Sequence, residues 1–302
     1  MLPTMYEIHR YDRPYLDDRE IGIEIEMEGG NLSLPYNRTW SCARDGSLRG
    51  NSIEYILSKP VPIDKVGAAL KKLVKLGAEN EDREEAIHEP SDRCGVHVHV
   101  NCQLLNFNQV FNFILLYLVM ERVLMSYCGE SREGNLYCLR ACDAEYFTDA
   151  MIRTKRTSNL DHIAAARDGG LKYSSVNPES LYRFGTVEFR GLRTPKNILD
   201  IEEWVHILCM LKKKSLLIKD PIALVENFSQ QGEAGFFDEI MGKWAPVLRE
   251  KVRDVDDKVL QGIRLAQDIA YTPTVTLPKT KEQMFEARPV NYAVNPDIWR
   301  EE

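Results

Sequence analysis

The sequence predicts an α+β fold: a largely antiparallel sheet packed with helices, followed by a helical C-terminal part. Three observations point there. Segments alternating apolar and polar residues with period two fall between residues 21 and 195. Turn signals join the early ones, without regular strand–helix alternation, which favours hairpins over parallel crossovers. Apolar residues at helical spacing dominate after residue 200.

Taken in order, residues 1–20 form a polar, aromatic-bearing lead-in. Residues 21–28, IGIEIEME, read as a strand. Alternate side chains share a face, so Ile23, Ile25 and Met27 oppose Glu24, Glu26 and Glu28. Like charges in a row repel and Glu is a poor strand former, so this row needs a compensating partner. Residues 31–37 read as a loop. TWSCARDGSLRGNSIEYILSKP reads as two strands joined around Asp45-Gly46 and Gly50-Asn51, ended by Pro60 and Pro62. Val66, Ala69, Leu70, Leu73 and Val74 make a helical stripe over 63–76, with Gly77 as its C-cap. Residues 79–92 are acidic and expected to be exposed.

CGVHVHVNC reads as a strand with Val96, Val98 and Val100 on one face and His97, His99 and Asn101 on the other. A long, largely buried helix is expected from Phe107 to Cys128, closed by Gly129. Residues 131–157 carry no clear pattern. GTVEFRGLRTP, from Gly185, reads as a strand ending at Pro195. Residues 201–218 form a helix whose basic end, Lys212 to Lys214, suits the helix dipole without any ligand. Residues 236–270 are mostly helical. The expected organisation is one domain over 21–270, sheet-rich to 195 and helical from 196, with an irregular tail over 271–302.

The 302-residue chain has a net charge of -7, so nothing draws it as a whole to nucleic acid or anionic membrane. Its start is charged and reads as no secretory signal. The apolar run from Val110 to Met125 holds Asn112 and Glu121 and is short for a membrane span. Seven cysteines at scattered spacings, with no C-x-x-C pair, read as reduced thiols of a cytoplasmic protein.

Four strands share one peculiarity: an apolar face opposite a face of acids, imidazoles or a guanidinium. The groups are Glu24, Glu26 and Glu28; Glu54; His97 and His99; Glu188 and Arg190. Residues i and i+2 on a strand lie about 6.6–6.8 Å apart, a spacing at which two carboxylates hold or flank divalent cations. Mg²⁺ takes oxygen ligands and Mn²⁺ tolerates imidazole. An Arg among such acids makes sense if a phosphate also enters. Each piece alone also reads blandly: E-x-E as the solvated face of an edge strand, H-V-H as a polar core pair, and Glu188 with Arg190 as an ion pair.

The order I-G-I-E-I-E-M-E, D-G-S-L…E-Y-I-L-S-K-P, C-G-V-H-V-H-V and K-Y-S-S-V-N…G-T-V-E-F-R resembles the amidoligase family over roughly residues 20–195. That family is grouped with glutamine synthetase and γ-glutamylcysteine ligase. The resemblance implies a glutamine-synthetase-like catalytic sheet and an ATP-dependent carboxylate–amine ligase. It would work through an acyl phosphate, with Mg²⁺ or Mn²⁺. It implies Glu24, Glu26, Glu54, His97 and Glu188 as metal ligands, with His97 and His99 not separable. It implies Arg190, Glu54 and Glu188 as catalytic, Arg190 neutralising the transferred phosphoryl group. Lys172, Tyr173 and Asn177 resemble a substrate or nucleotide contact. Asp45 and Ser47 are assisting candidates, and Arg132, Asn135 and Tyr137 weaker ones; Arg193 leans to the surface and Glu28 has no clear role. The implied partners are a small-molecule or peptide carboxylate and an amine, with a homo-oligomer open. Two other readings stand beside it: a zinc amidohydrolase using the H-V-H strand, and a non-catalytic binding protein on the same fold. With only six His in the chain, a multi-histidine zinc site is poorly supplied.

Overall fold

A computed structural model describes residues 2–11, 17–29, 38–44, 46–78, 91–164 and 173–273. Asp45, Lys172 and the tail beyond residue 273 lie outside the described residues. The rest bears out the α+β expectation.

Seven strands form one sheet among the described residues: β1 (Glu20–Glu28), β2 (Trp40–Ala43), β3 (Ser52–Leu57), β4 (Val61–Pro62), β5 (Gly95–Asn101), β6 (Val176–Asn177) and β7 (Thr186–Arg193). Their order is β2-β3-β1-β5-β7-β6, with β4 pairing the start of β1. Every pairing is antiparallel. The helices are α1 (Met5–His9), α2 (Val66–Ala78), α3 (Phe107–Tyr127), α4 (Glu145–Thr157), α5 (Asp161–Ala164), α6 (Ser180–Phe184), α7 (Ile201–Ser215), α8 (Pro221–Met241), α9 (Ala245–Lys251) and α10 (Val255–Tyr271).

The alternation of the strands decides which face the helices cover. Ile23, Ile25, Val96, Val98, Val100, Val187 and Phe189 are buried together in the core with α3. The Phe189 ring lies 4.7 Å from Tyr117 and 5.4 Å from Phe113 of α3. Helices α7 and α10 both pack against α3, and α7 also touches β5. Gly262 of α10 allows that crossing, because a Cβ there would fall against the backbone carbonyl of Val119. Helix α3 spans 21 residues and is, by length and composition alone, long enough to cross a membrane, which the shorter apolar run did not suggest. Here it is a core helix, and its polar residues tie down neighbouring backbone. Asn112 donates to the Ile218 carbonyl at 2.8 Å, and Glu121 accepts from the Ala141 and Cys142 amides at 2.7 Å each.

Some elements differ from expectation. The lead-in holds α1, whose Thr4–Glu7 capping box is complete and whose first amides pair with the carbonyls of Leu105 and Gln103. Gly77 lies inside α2, which runs through Ala78. Helix α4 occupies much of the patternless 131–157 stretch, with Ala144 at its N-cap and no side-chain cap. Helix α7 stops at Ser215, and helical structure resumes at Pro221, ahead of the expected residue 236.

Candidate active site

Strand register brings the predicted acids, imidazoles and guanidinium to one patch on the sheet face opposite α3. Across β1 and β5, Glu24 faces His97 and Gly22 faces His99. Across β1 and β3, Glu26 faces Glu54. Across β5 and β7, His99 faces Glu188, which also faces Asn177 of β6. A Cβ on Gly22 would lie 3.2 Å from that of His99, so glycine there gives the imidazole its room.

The side chains then meet. Glu24 reaches both imidazoles, with Oε2 3.2 Å from His97 Nδ1 and Oε1 3.5 Å from His99 Nε2. His99 Nδ1 is 3.0 Å from the Thr186 hydroxyl, which fixes the ring. Glu188 accepts from Arg190 Nη1 at 2.6 Å and from Asn177 Nδ2 at 2.7 Å. All but Glu24 and Glu54 are buried, and the Glu24 side chain is only 27% exposed. Burial pushes the Glu24 carboxyl up, but the hydrogen bonds and charges of His99 and His97 outweigh it and hold the group well below the usual carboxylate range. Glu188 is lowered likewise: burial opposes, and the charges of His99, His97 and Arg190 prevail. His99 is raised, because its bond to Glu24 and the charge of Glu188 overcome the burial that disfavours its charged form.

Two overlapping sets have metal-ligand geometry. Glu24, His99 and Glu188 each bring one ligand atom, all within 4.8 Å of one another, and so do Glu24, Glu54 and His97. Each set contains one imidazole and Glu24 joins them. Glu26, expected as a ligand, lies in neither: Oε2 accepts the Gly95 amide at 2.6 Å and Oε1 sits 3.6 Å from His97 Nε2. Glu28 also stands apart, accepting the Arg49 amide at 2.6 Å and so anchoring a turn.

A β-bulge aims Arg190. Val98 pairs with Phe189 but Val96 pairs with Leu192, so β7 carries one extra residue opposite His97. Strict alternation would put Leu192 beside Glu188 and Arg190; the bulge returns it to the Val96 side. Arg132, buried, pins this bulge by donating to the carbonyls of Arg190 at 2.8 Å and Gly191 at 3.0 Å. Gly95 lies against the same group: a Cβ there would be 3.1 Å from Arg132 Nη2, 3.2 Å from Glu26 Oε2 and 3.5 Å from His97 Nε2.

Ser47 and Tyr137, and Tyr173 of the expected substrate or nucleotide contact, line a cavity beside Glu26, His97 and Arg190. Asn177 orients Glu188 rather than facing outward. Asn135 organises its own loop, donating to the Asp92 carbonyl and accepting the Tyr137 amide. Arg193 pairs with Asp92 at 3.3 Å, away from the ligand sets. Arg93 was missed; it lines the cavity, donates to the Ser47 carbonyl at 2.8 Å and covers the Tyr137 ring. Its place just before CGVHVHV was the available signal.

Residues 60–209 match the family described as "Putative amidoligase enzyme", the family that the motifs resemble. The match includes His97, His99, Tyr173, Asn177, Glu188 and Arg190. It begins after Glu24, Glu26 and Glu54, and it extends into α7, beyond the end of the resemblance. It supports an amide-forming ligase in general. No curated protein matches the chain.

Proposed function

We propose that this chain is an ATP-dependent carboxylate–amine ligase that activates its acid as an acyl phosphate. The observation that carries this reading is the pair of carboxylate-rich ligand sets sharing Glu24, with Arg190 beside them. Two carboxylates and one imidazole per set suit Mg²⁺ or Mn²⁺ better than a histidine-rich zinc centre. Glu24, Glu54 and His97 would hold one cation, and Glu24, His99 and Glu188 a second. Bound there, the cations supply charge neutralisation for the nucleotide phosphates.

The chain's own residues do the positioning. Thr186 and Asn177 fix His99 and Glu188. Arg190 places a guanidinium beside the ligand sets, and its buried Nε has no hydrogen-bond partner among the described residues. That leaves a donor for a phosphoryl or acyl oxygen, where it is worth most as charge develops. The acid oxygen attacks the terminal phosphorus of ATP and ADP leaves. The amine nitrogen then attacks the acyl carbon, phosphate departs, and the amine proton passes to water. On this reading the substrates are a small or peptide carboxylate and an amine. The protein works in the cytoplasm, where its seven unpaired cysteines stay reduced.

The test is ADP release in Mg²⁺ across panels of acids and amines. Glu24→Ala and Arg190→Ala should each lower turnover by about 100-fold or more. A purified protein that neither binds ATP nor changes with these substitutions sinks the reading, as does stoichiometric bound zinc by elemental analysis.

A further inference from the structure

The chain is acidic overall, with a net charge of -7, yet it carries a groove whose charged residues are all basic. The groove lies between the segments entering β2 and β4 and helix α2, at the β2 end of the sheet, with a volume of about 300 Å³. Arg38, Lys59, Lys65 and Lys72 line it, and among the described residues no carboxylate does. Its floor is apolar: half-buried Val61, exposed Ala68 and buried Ala69. Two successive alanines leave a depth that longer side chains would fill. Trp40 of β2 donates through Nε1 to the Ala69 carbonyl at 2.8 Å, which fixes strand and helix to each other and preforms the groove. None of its residues belongs to the ligand sets or lines the cavity beside Arg190.

Helix stability does not account for these cations. Lys65 directly precedes α2, where the helix dipole disfavours positive charge. Its neighbour Asp64, 3.5 Å away and exposed, is a weak offset. Helix α2 contains no acid, so no pair within the helix compensates Lys72. The lining also selects among anions. Three of the four cations are lysines, point charges that read a spread of negative charge rather than one bidentate group. No aromatic side chain lines the groove for a base to stack on, which disfavours single-stranded nucleic acid. The volume is at the lower end of the about 300–1,000 Å³ of ligand pockets, room for a short linear segment rather than a folded surface. An apolar floor between basic walls suits an extended peptide carrying both acidic and apolar residues.

We propose that this groove docks an acidic peptide segment of a protein partner, its carboxylates on Arg38, Lys59, Lys65 and Lys72 and an apolar side chain on the alanine floor. The proposal does not depend on the ligase reading.

The experiment is fluorescence anisotropy of the whole chain with short labelled peptides. A peptide repeating Glu-Glu-Leu should bind, and its Lys-Lys-Leu counterpart should not. A Glu-Glu-Ser repeat should bind about 5-fold more weakly, for want of the apolar side chain. Raising ionic strength from about 0.1 M to about 1 M should weaken the first peptide about 10-fold. Lys59→Glu with Lys65→Glu, both exposed, should weaken it about 10-fold as well. Lys213→Glu with Lys219→Glu makes the same change of net charge away from the groove and should leave affinity within about twofold. Ala68→Gln keeps every charge but fills the floor, and should also weaken binding; it serves if the charge reversals do not fold. The proposal falls if the Glu-Glu-Leu peptide does not bind, or if the Lys213 and Lys219 reversals weaken it as much as those in the groove. It falls if oligothymidylate binds as tightly and is lost with the same substitutions, which would make the groove a phosphate-backbone site. It also falls if exchanging the acids of residues 79–89 for their amides raises the peptide's affinity about 10-fold or more, because the groove would then belong to the chain's own acidic stretch.

Discussion

At Gly95 a missing methyl group holds three functional side chains in place. Arg132 and Glu26 both lie within 3.2 Å of where a Cβ would stand, and His97 is the next neighbour. None of the three can easily give way. Arg132 is fastened to the carbonyls of the bulge, and Glu26 accepts the amide of Gly95 itself. Gly95→Ala should therefore cost about 1–3 kcal/mol by overpacking. It should also weaken metal binding by about 10–100-fold, the usual price of disturbing groups behind a ligand. Gly46→Ala is the control: nothing lies within 4 Å of its Cβ, and its stability should stay within about 0.5 kcal/mol. Urea denaturation of the two variants decides, and equal midpoints would show that the site is not tightly packed at Gly95. This constraint could not be read beforehand. The sequence displayed Glu24, His97, His99 and Glu188 openly, because period two sorts them onto one face. It gave no sign that Glu26, expected as a ligand beside Glu54, would turn to the Gly95 amide instead, since that depends on which residues face each other across β1 and β5.

The elements show the same division between pattern and contact. β1, β2, β3, β5 and β7 were legible from alternation and α3 from its long apolar run, whereas the two-residue β4 and β6 are too short to alternate. The bulge at Arg190–Gly191 was not, because one extra residue leaves no compositional trace. Helix α4 lacks a capping side chain. The end of α8 fell within the helical expectation over 236–270, but its start, marked by Asp220 as cap and Pro221 at the first helical position, was not read. Glu121 was noticed only as an interruption of an apolar run. It is fully buried in α3, where it accepts from Ala141, Cys142 and the Ser175 hydroxyl. Ser175 in turn accepts the Arg190 amide through its carbonyl, so this contact supports β7 from below. Burial raises the Glu121 carboxyl above its ordinary value, although the bonds from Cys142, Ser175 and Ala141 pull the other way. Tyr117, Cys138 and Cys142 are the titratable groups facing it, and all three are raised as well. An acid whose folded value is raised binds its proton more tightly in the native state. Its contribution to stability is then complete below the unfolded value near 4.5 and is lost as pH rises through the folded value. Glu121→Gln does not titrate. The stability advantage of wild type over this variant should therefore shrink from acid toward neutral pH in urea melts. A constant or growing advantage contradicts the sign. At the other face of α3, Gly262→Ala would press on the Val119 carbonyl, and separating α3 from α10 should cost about 1–3 kcal/mol.

For the whole molecule, the question is how one sheet tolerates so many acids together in a chain whose net charge is already -7. Glu24, Glu26, Glu54 and Glu188 lie around two imidazoles and one guanidinium, on strands far apart in sequence but adjacent in the sheet. The imidazoles lower Glu24 and Glu188 but do not cancel four carboxylates at neutral pH. A divalent cation held between β1, β3, β5 and β7 would tie both halves of the sheet together, and its binding energy would appear as folding stability. At 100 times the dissociation constant this amounts to about 2.7 kcal/mol, or roughly 5 °C in Tm for a chain of this size. Mg²⁺ or Mn²⁺ should thus raise Tm along a saturating curve. KCl at matched ionic strength should not, because general screening acts without saturation. Glu24→Gln should lose most of the effect, as Glu24 serves both ligand sets. Glu28→Gln should keep it, as Glu28 is engaged with the Arg49 amide. The two substitutions remove the same charge from the two ends of the acidic row on one strand face. If they respond alike, bulk electrostatics suffices and the row of acids is a solvated edge. If they part, stability is set by a bound ion at one defined place.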